Sequence, residues 1–375
     1  MHFTPFLVLL GGVSSSLCQV VGSPYGFAKG VTGGGNATPQ KPKDIAQLKS
    51  WLADNTPRVI MIDRTFNFLG SEGSVTETGC RLTSGCTAAH GGQDTIKTGG
   101  CDSNEKSIQV KYDKASYIGM PVGSNKSLVG VGNKGVLLGK GLRFNTGAKN
   151  IIIQNIHIDV GGDAISLSGN DGVWIDHCKI SHTGRQMFVS HYEASRVTIS
   201  NTEFDGRTDY SHSCNNGHYW TIIIGGKGDK ITLDKNYLHD LSGRAPKIGS
   251  SEGTQTVQAV NNYFNYNTGH NFDISSSGRV LLEGNRFENS KTPITDASKV
   301  GKIFNVPDSG SRTTCASSLG RNCEMNADTS SGAVPSRKDT VVLSELGKYK
   351  SHLVTPIRYG EVKGHVSGNY GIGRI

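Results

Sequence analysis

Between residues 150 and 289 the chain repeats one arrangement of apolar and polar positions about every 23 residues. The units read NIIIQNIHID, GVWIDHCKIS, RVTISNTEFD, KITLDKNYLHD, TVQAVNNYFN and RVLLEGNRFEN. Each has a short β-branched run, then an Asn or His, then a second apolar pair. Asn155, His177, Asn201, Asn236, Asn262 and Asn285 read as equivalent positions, at steps of 22, 24, 35, 26 and 23 residues. That period is too long for a heptad and too irregular for a helical repeat. It fits one turn of a parallel β-helix, in which each turn is buried by its neighbours. An Asn at a tight bend of such a turn can hydrogen-bond the Asn above and below it, which satisfies amides that are otherwise costly to bury. The expected fold is therefore all-β, a single-domain parallel β-helix.

The flanks change in character. Apolar residues at helical spacing over 42–52 predict a short helix that caps the first turn, and Val59–Ile62 reads as the first buried strand. Residues 70–117 read as a long irregular excursion, and loops of that length are usually functional. Turns resume at 127–131 and run to about 305. The step from Asn201 to Asn236 is roughly 11 residues too long, and the surplus, about 207–220, is a second excursion. Residues 306–375 have little periodicity and read as a wrapping tail of the domain that starts at residue 20. Residues 1–19 read as a secretory signal peptide, with an apolar run from Phe6 to Val13 and small residues at Ser14–Ser16. No later stretch approaches the ~18 apolar residues of a membrane span.

Composition sharpens this picture. Fifty glycines in 375 residues, with no long amphipathic stretch, suit short strands and bends. The net charge is +8, from 39 Lys and Arg against 31 Asp and Glu. Such a surface attracts polyanions. With no basic block, no RNA-binding motif and a chain expected to be exported, an anionic extracellular polysaccharide is the expected partner rather than nucleic acid or membrane, and the chain is expected to be monomeric. Of the eight cysteines, Cys18 falls in the leader. A secreted chain favours disulfides over metal sites, spacing alone leaves the pairing open, and Cys178, the one within a repeat, is expected to be free. Asn36 and Asn125 begin sequons for glycosylation.

Four segments break the repeat with polar residues: GGDAI at 161–165, VWIDH at 173–177, TGRQ at 183–186 and SGRAPK at 242–247. Residues about 22 apart are expected to lie one above another, so Asp163 and Arg185 put a carboxylate beside a guanidinium. Arg244 and Lys247 come two to three turns later on the same face. Each has a plain structural reading as well: an ordinary ion pair, a pair of solvated charges, a packing role for Trp220, a ladder position for His177.

Taken together, the motifs GFAKGVTGG (26–34), GGDAISL (161–167), VWIDH, GRQ, DYS followed by HYW (209–220), SGRAPK, AVNNYF (259–264) and LGRNC (319–323) resemble the pectin lyases of the pectate lyase superfamily. The resemblance covers about residues 25–330. It implies a right-handed parallel β-helix that cleaves polygalacturonate chains by β-elimination. It assigns proton removal to Arg244, with Lys247 in the same motif, and places Tyr219 and Trp220 in the substrate cleft. It implies the disulfides Cys80–Cys101, Cys86–Cys214 and Cys315–Cys323. Pectate lyases hold Ca²⁺ between carboxylates of neighbouring turns, whereas pectin lyases put an arginine at one of those positions. Here Asp163 faces Arg185, so no metal and no cofactor is expected. The chain departs from the family in its tryptophans: it has three, and only Trp220 falls on a matching cleft position.

The chemistry follows from the substrate. The C5 hydrogen of a galacturonate is α to its carboxyl group, and its removal builds an enolate-like anion before the C4 oxygen leaves. In a free carboxylate that extra charge calls for a metal ion. In a methyl ester fixed cationic side chains suffice, because preoriented charge is usually the largest catalytic contribution. Two other readings stay open at this stage: a Ca²⁺-dependent pectate lyase, favoured by the few tryptophans and the basic charge, and a non-catalytic polysaccharide-binding β-solenoid.

Overall fold

The computed structural model describes residues 19–97 and 99–375, so the expected signal peptide lies outside the described residues except for its last position. The repeat forms a parallel β-helix. Nine parallel strands, from Arg58–Ile62 to Lys302–Phe304, make the first sheet. A second sheet runs from Thr65–Asn67 through His157–Asp159, Lys179–Ser181, Glu203–Asp205 and Tyr237–Leu241 to Arg286–Ile294. A third is built from Met120–Val122, Leu142–Phe144, Ile165–Leu167, Phe188–Ser190, Ile222–Ile224 and Lys247–Ile248. The long strand Tyr263–Ile274 crosses from the second sheet into the third.

Strand alternation sends every second residue inward, and the parallel register then stacks like on like. Ile153, Ile175, Ile199, Leu233, Ala259 and Leu282 form one internal column. Ile158, Ile180, Phe204, Leu238, Phe264 and Phe287 form another, and the rings of Phe264 and Phe287 stack at 4.9 Å. These columns are fully buried and constitute the core.

The polar corner differs from expectation by one residue. Asn155, His177 and Asn201 do not share a position with Asn236, Asn262 and Asn285. They hold the preceding one, where the backbone turns left-handed (φ 59°, 49° and 47°), and in later turns that place belongs to Lys235, Asn261 and Gly284. The stacked position is the next, occupied by Ile156, Cys178, Thr202, Asn236, Asn262 and Asn285. The true amide ladder runs Asn236 to Asn262 at 2.9 Å, Asn262 to Asn285 at 2.9 Å and Asn285 to Asn326 at 3.0 Å. Asn tolerates the left-handed region, so it recurs at both adjacent places and blurs them in sequence.

The end cap is the helix Ile45–Ala53, with Asp44 accepting from the Gln47 N–H at 2.8 Å and Leu48 and Leu52 buried. The first excursion is more regular than expected: Ser74–Leu82 and Glu105–Asp113 pair as an antiparallel hairpin. Its second strand alternates half-buried Ile108, Val110 and Tyr112 with exposed Gln109 and Lys111, a period-two signal that the sequence reading passed over. The GFAKGVTGG segment lies along the outer face of the first sheet. The Ala28 N–H donates to Thr198 Oγ1 (2.9 Å) and the Gly34 N–H to Ser127 Oγ (2.9 Å). A Cβ on Gly34 would meet the Arg58 carbonyl at 2.1 Å, which explains glycine there. The tail carries the helices Ser309–Leu319, Val341–Leu346 and Val362–Val366. It runs back along the outside until the Gly373 N–H reaches Asn155 Oδ1 at 2.7 Å.

Candidate active site

The outward residues of the third sheet form an aligned row, Arg143, Ser166, Val189, Ile223, Lys247 and Asp273. Three residues ahead of the last five lie Asp163, Gln186, Trp220, Arg244 and His270, at the bends that enter each strand. The alignment puts Gln186, not Arg185, in step with Asp163, and the Gln186 N–H donates to Asp163 Oδ1 at 2.9 Å. Arg185 sits one residue earlier and reaches across, its Nη1 lying 3.6 Å from Asp163 Oδ2. The expected carboxylate–guanidinium pair is therefore present, with the register corrected by one. Arg244 follows two turns later, roughly 10 Å along the axis at ~4.8 Å per turn.

Arg244 is half-buried, and its guanidinium lies over the Tyr219 ring at 5.3 Å. Among the described residues it pairs with no carboxylate, and its buried Nε has no acceptor. Lys247 instead pairs with Asp273 at 3.2 Å. Tyr219 and Trp220 come from the second excursion, and His212 packs 5.0 Å from each ring. Arg143, Arg185, Arg244 and Lys247 thus share a flank where, among the described residues, Asp163 and Asp273 are the carboxylates paired with them. The histidines there respond to this excess. Burial first, and then Arg244 nearby, lowers the pKa of His212. Burial lowers that of His191, with Arg185 and Arg143 adding to it against the pull of Asp163.

His218 ties these turns together. Its Nε2 lies 2.6 Å from the Arg185 carbonyl and 3.0 Å from the Trp220 carbonyl. Carbonyl oxygens only accept, so this nitrogen carries the proton. Burial depresses its pKa and keeps the ring neutral. The His218 carbonyl in turn accepts from the Ser242 N–H at 2.9 Å, so one residue links the segments bearing Arg185, Trp220 and Arg244.

The wall is built from both excursions. The disulfides Cys80–Cys101, Cys86–Cys214 and Cys315–Cys323 all form, as the resemblance implies. Cys86–Cys214 joins the two excursions, and Gln93 Nε2 donates to the Gly184 carbonyl beside Arg185 at 2.6 Å. Cys178 is free and buried, its thiol pushed up to about 12 by burial. Asn36 is exposed in a turn, while Asn125 is half-buried, its Oδ1 accepting from Asn150 at 2.8 Å. A hollow of about 500 Å³ opens elsewhere, against Val31, Val59 and Ile152 of the first-sheet side; Asn36 lines it, and none of the cleft residues does.

The sequence reading passed over Arg143, His191, His212, His270 and Asp273, and met His218 only as the first residue of the HYW motif, with no role. For two of them a signal existed: Arg143 lies 23 residues before Ser166 and His270 lies 26 after Arg244, both steps of the repeat. A calcium site needs several oxygen ligands around Asp163. The residue in step with it is Gln186, and the Arg185 guanidinium reaches to 3.6 Å from its carboxylate, so the residues present do not fit that ion.

A family profile described as "Pectate lyase" matches residues 93–355. The curated "Probable pectin lyase F-2" of Aspergillus terreus is 48% identical over 374 residues, 97% of this chain and 76% of its own length. "Probable pectin lyase F" of Neosartorya fischeri is 46% identical over 372 residues, 95% of this chain and 96% of its own. Among solved structures, a pectate lyase bound to a hexasaccharide superposes with a TM-score of 0.59 at 18% identity, covering 95% of this chain and 98% of that one. Pectate lyase II from Xanthomonas campestris gives 0.54 at 18% identity, covering 94% and 99%. These last two likenesses concern the fold.

Proposed function

This chain belongs to the pectate lyase family, and from that premise we propose that it is a secreted pectin lyase that cleaves methyl-esterified α-1,4-galacturonan without calcium. The observation that carries the reading is the Arg185 guanidinium 3.6 Å from Asp163, on the flank that also holds Arg244 and Lys247. A cation there neutralises Asp163 and repels a metal ion. It suits a substrate whose carboxyl groups are esterified, since the enolate then needs only preoriented positive charge.

In this mechanism Arg244 takes the C5 proton, the electrons of the broken C5–H bond form the C4–C5 double bond, and the C4–O bond breaks, the departing oxygen taking up a proton from water as the shortened chain leaves. The product is a 4,5-unsaturated oligogalacturonide. Arg244 acts at C5, its guanidinium free of any carboxylate partner among the described residues. Lys247 adds charge three residues further along the same turn. Asp163 and Arg185 orient the neighbouring sugar, and Tyr219 and Trp220 pack against the chain. Three disulfides and the exposed sequon at Asn36 support export. We place residues 20–375 in one β-helix domain, acting as a monomer.

The test is the absorbance of unsaturated product from methylated pectin and from polygalacturonate, each with and without a chelator. Chelator-indifferent cleavage of methylated pectin is expected. Cleavage of polygalacturonate that EDTA abolishes and Ca²⁺ restores would identify a calcium-dependent enzyme instead, and no product under any condition would leave a binding solenoid.

A further inference from the structure

Arg244 sits in the left-handed region, φ 45°, which a residue with a Cβ rarely adopts. Its direction into the cleft therefore depends on what holds the backbone. The Ile222 N–H donates to the Arg244 carbonyl at 2.9 Å. The guanidinium rests on Tyr219. The third hold is the Arg244 N–H itself, which donates to Nε2 of His270 at 3.1 Å. Of the two backbone bonds, only this one runs through a titratable atom.

A backbone N–H can only donate, so Nε2 of His270 must keep its lone pair and the ring proton must sit on Nδ1. An imidazolium has no lone pair to offer. The ring is half-buried and edge-on to Tyr219 at 5.8 Å, in contact with the same aromatic that carries the guanidinium. Charged groups face it from both sides: Asp273 on its own strand, and Arg244 and Lys247 on the preceding turn. Burial, with the two cations acting against Asp273, lowers its pKa and favours the neutral ring.

We infer that His270 is a positioning residue whose neutral Nε2 fixes the Arg244 backbone, and that its protonation sets the acid limit of the reaction. The inference rests on reading Arg244 as the group that acts at C5. As pH falls through the His270 midpoint, the acceptor disappears and a third positive charge arrives beside Arg244 and Lys247. The guanidinium then loses its aim, and turnover falls while substrate binding changes less.

Two measurements on the full chain test this separately from the activity assignment. In a ¹⁵N NMR pH titration, His270 is expected as the Nδ1–H tautomer, and the Arg244 amide resonance is expected to shift with the His270 midpoint. An Nε2–H tautomer, or an Arg244 amide indifferent to that titration, overturns the positioning role whatever the activity. In kinetics on methylated pectin, His270→Ala should lower kcat roughly 10- to 100-fold, the scale of a misplaced catalytic group. His270→Gln, whose amide oxygen accepts but does not titrate, should restore most of that loss and move the acid limb away from the NMR midpoint. An acid limb unchanged in His270→Gln would sink the claim that His270 sets it. Coupled NMR titrations alongside turnover that does not depend on Arg244 would instead sink the reading of Arg244.

Discussion

Arg244 concentrates the chemistry of this molecule: its neighbours Arg185 and Lys247 are paired, and of the two flank cations without a carboxylate partner among the described residues, Arg143 and Arg244, only Arg244 is half-buried and held against an aromatic ring. Arg244→Lys keeps a positive charge but loses the planar, multi-donor fork. Turnover is expected to fall about 10²–10³-fold, the size of losing one transition-state donor, with unchanged far-ultraviolet circular dichroism. Lys247→Ala should cost less, since Lys247 already shares its charge with Asp273 at 3.2 Å. Steady-state kinetics of the folded variants decide the point: a raised KM with kcat unchanged would make Arg244 a substrate clamp. At this scale the sequence was legible for residue types. The Asp163, Arg185, Arg244 and Lys247 positions were readable, but His218 and His270 were not. A histidine's role here comes from which carbonyl or N–H it meets, and those partners lie 26 to 33 residues away.

The amide ladder is the element that holds successive turns in register at the polar corner. Asn262 sits mid-ladder, fully buried. Its Oδ1 accepts from Asn236, and its Nδ2 donates to Asn285 Oδ1 at 2.9 Å and to the Leu233 carbonyl at 2.8 Å. Asn262→Ala strands partners on both sides, each costing about 1–3 kcal/mol when left buried and unpaired. A loss on the order of 3 kcal/mol is expected, read as a lowered denaturation midpoint. Asn201→Ala should cost markedly less, because Asn201 holds the left-handed corner position rather than a rung. Equal losses for the two would restore the equivalence that the sequence suggested.

For the whole molecule, the tail works as a clasp, and its grip depends on pH. Tyr370 packs on Tyr237 at 4.5 Å, and Tyr237 stacks on His239 at 4.4 Å. His239 lies 3.1 Å from Glu203 and 2.7 Å from Asp240. Burial opposes its charge, but hydrogen bonds to Glu203 and Asp240 outweigh that and raise its pKa above 6.5. The folded value is the higher one, so this stabilisation is fully present below the unfolded pKa of about 6.5. It is lost as pH rises through the folded value. The midpoint of thermal unfolding should therefore decline on the alkaline side, and His239→Gln should flatten that part of the profile. A variant with the same alkaline decline as the parent would assign it to other groups.

The sequence by itself determined the period, the stacked apolar columns, the capping helix and the two excursions. Each of these follows from burial repeated at fixed spacing along the chain, and a column of Ile153, Ile175, Ile199 and Leu233 is visible as a run of like residues. The tertiary structure alone decided the register at the corner, the hairpin in the first excursion, and the union of Arg143, His218 and His270 with the expected site. The corner was ambiguous because two adjacent positions both accept asparagine, one for its left-handed backbone and the other for its stacking amide. The hairpin was hidden because only its second strand alternates, Ile108, Val110 and Tyr112 against Gln109 and Lys111, while the partner Ser74–Leu82 has Val75 and Leu82 as its only aliphatic residues. The site was incomplete because contacts between turns depend on the length of every bend, and a shift of one residue changes which side chain meets which carbonyl.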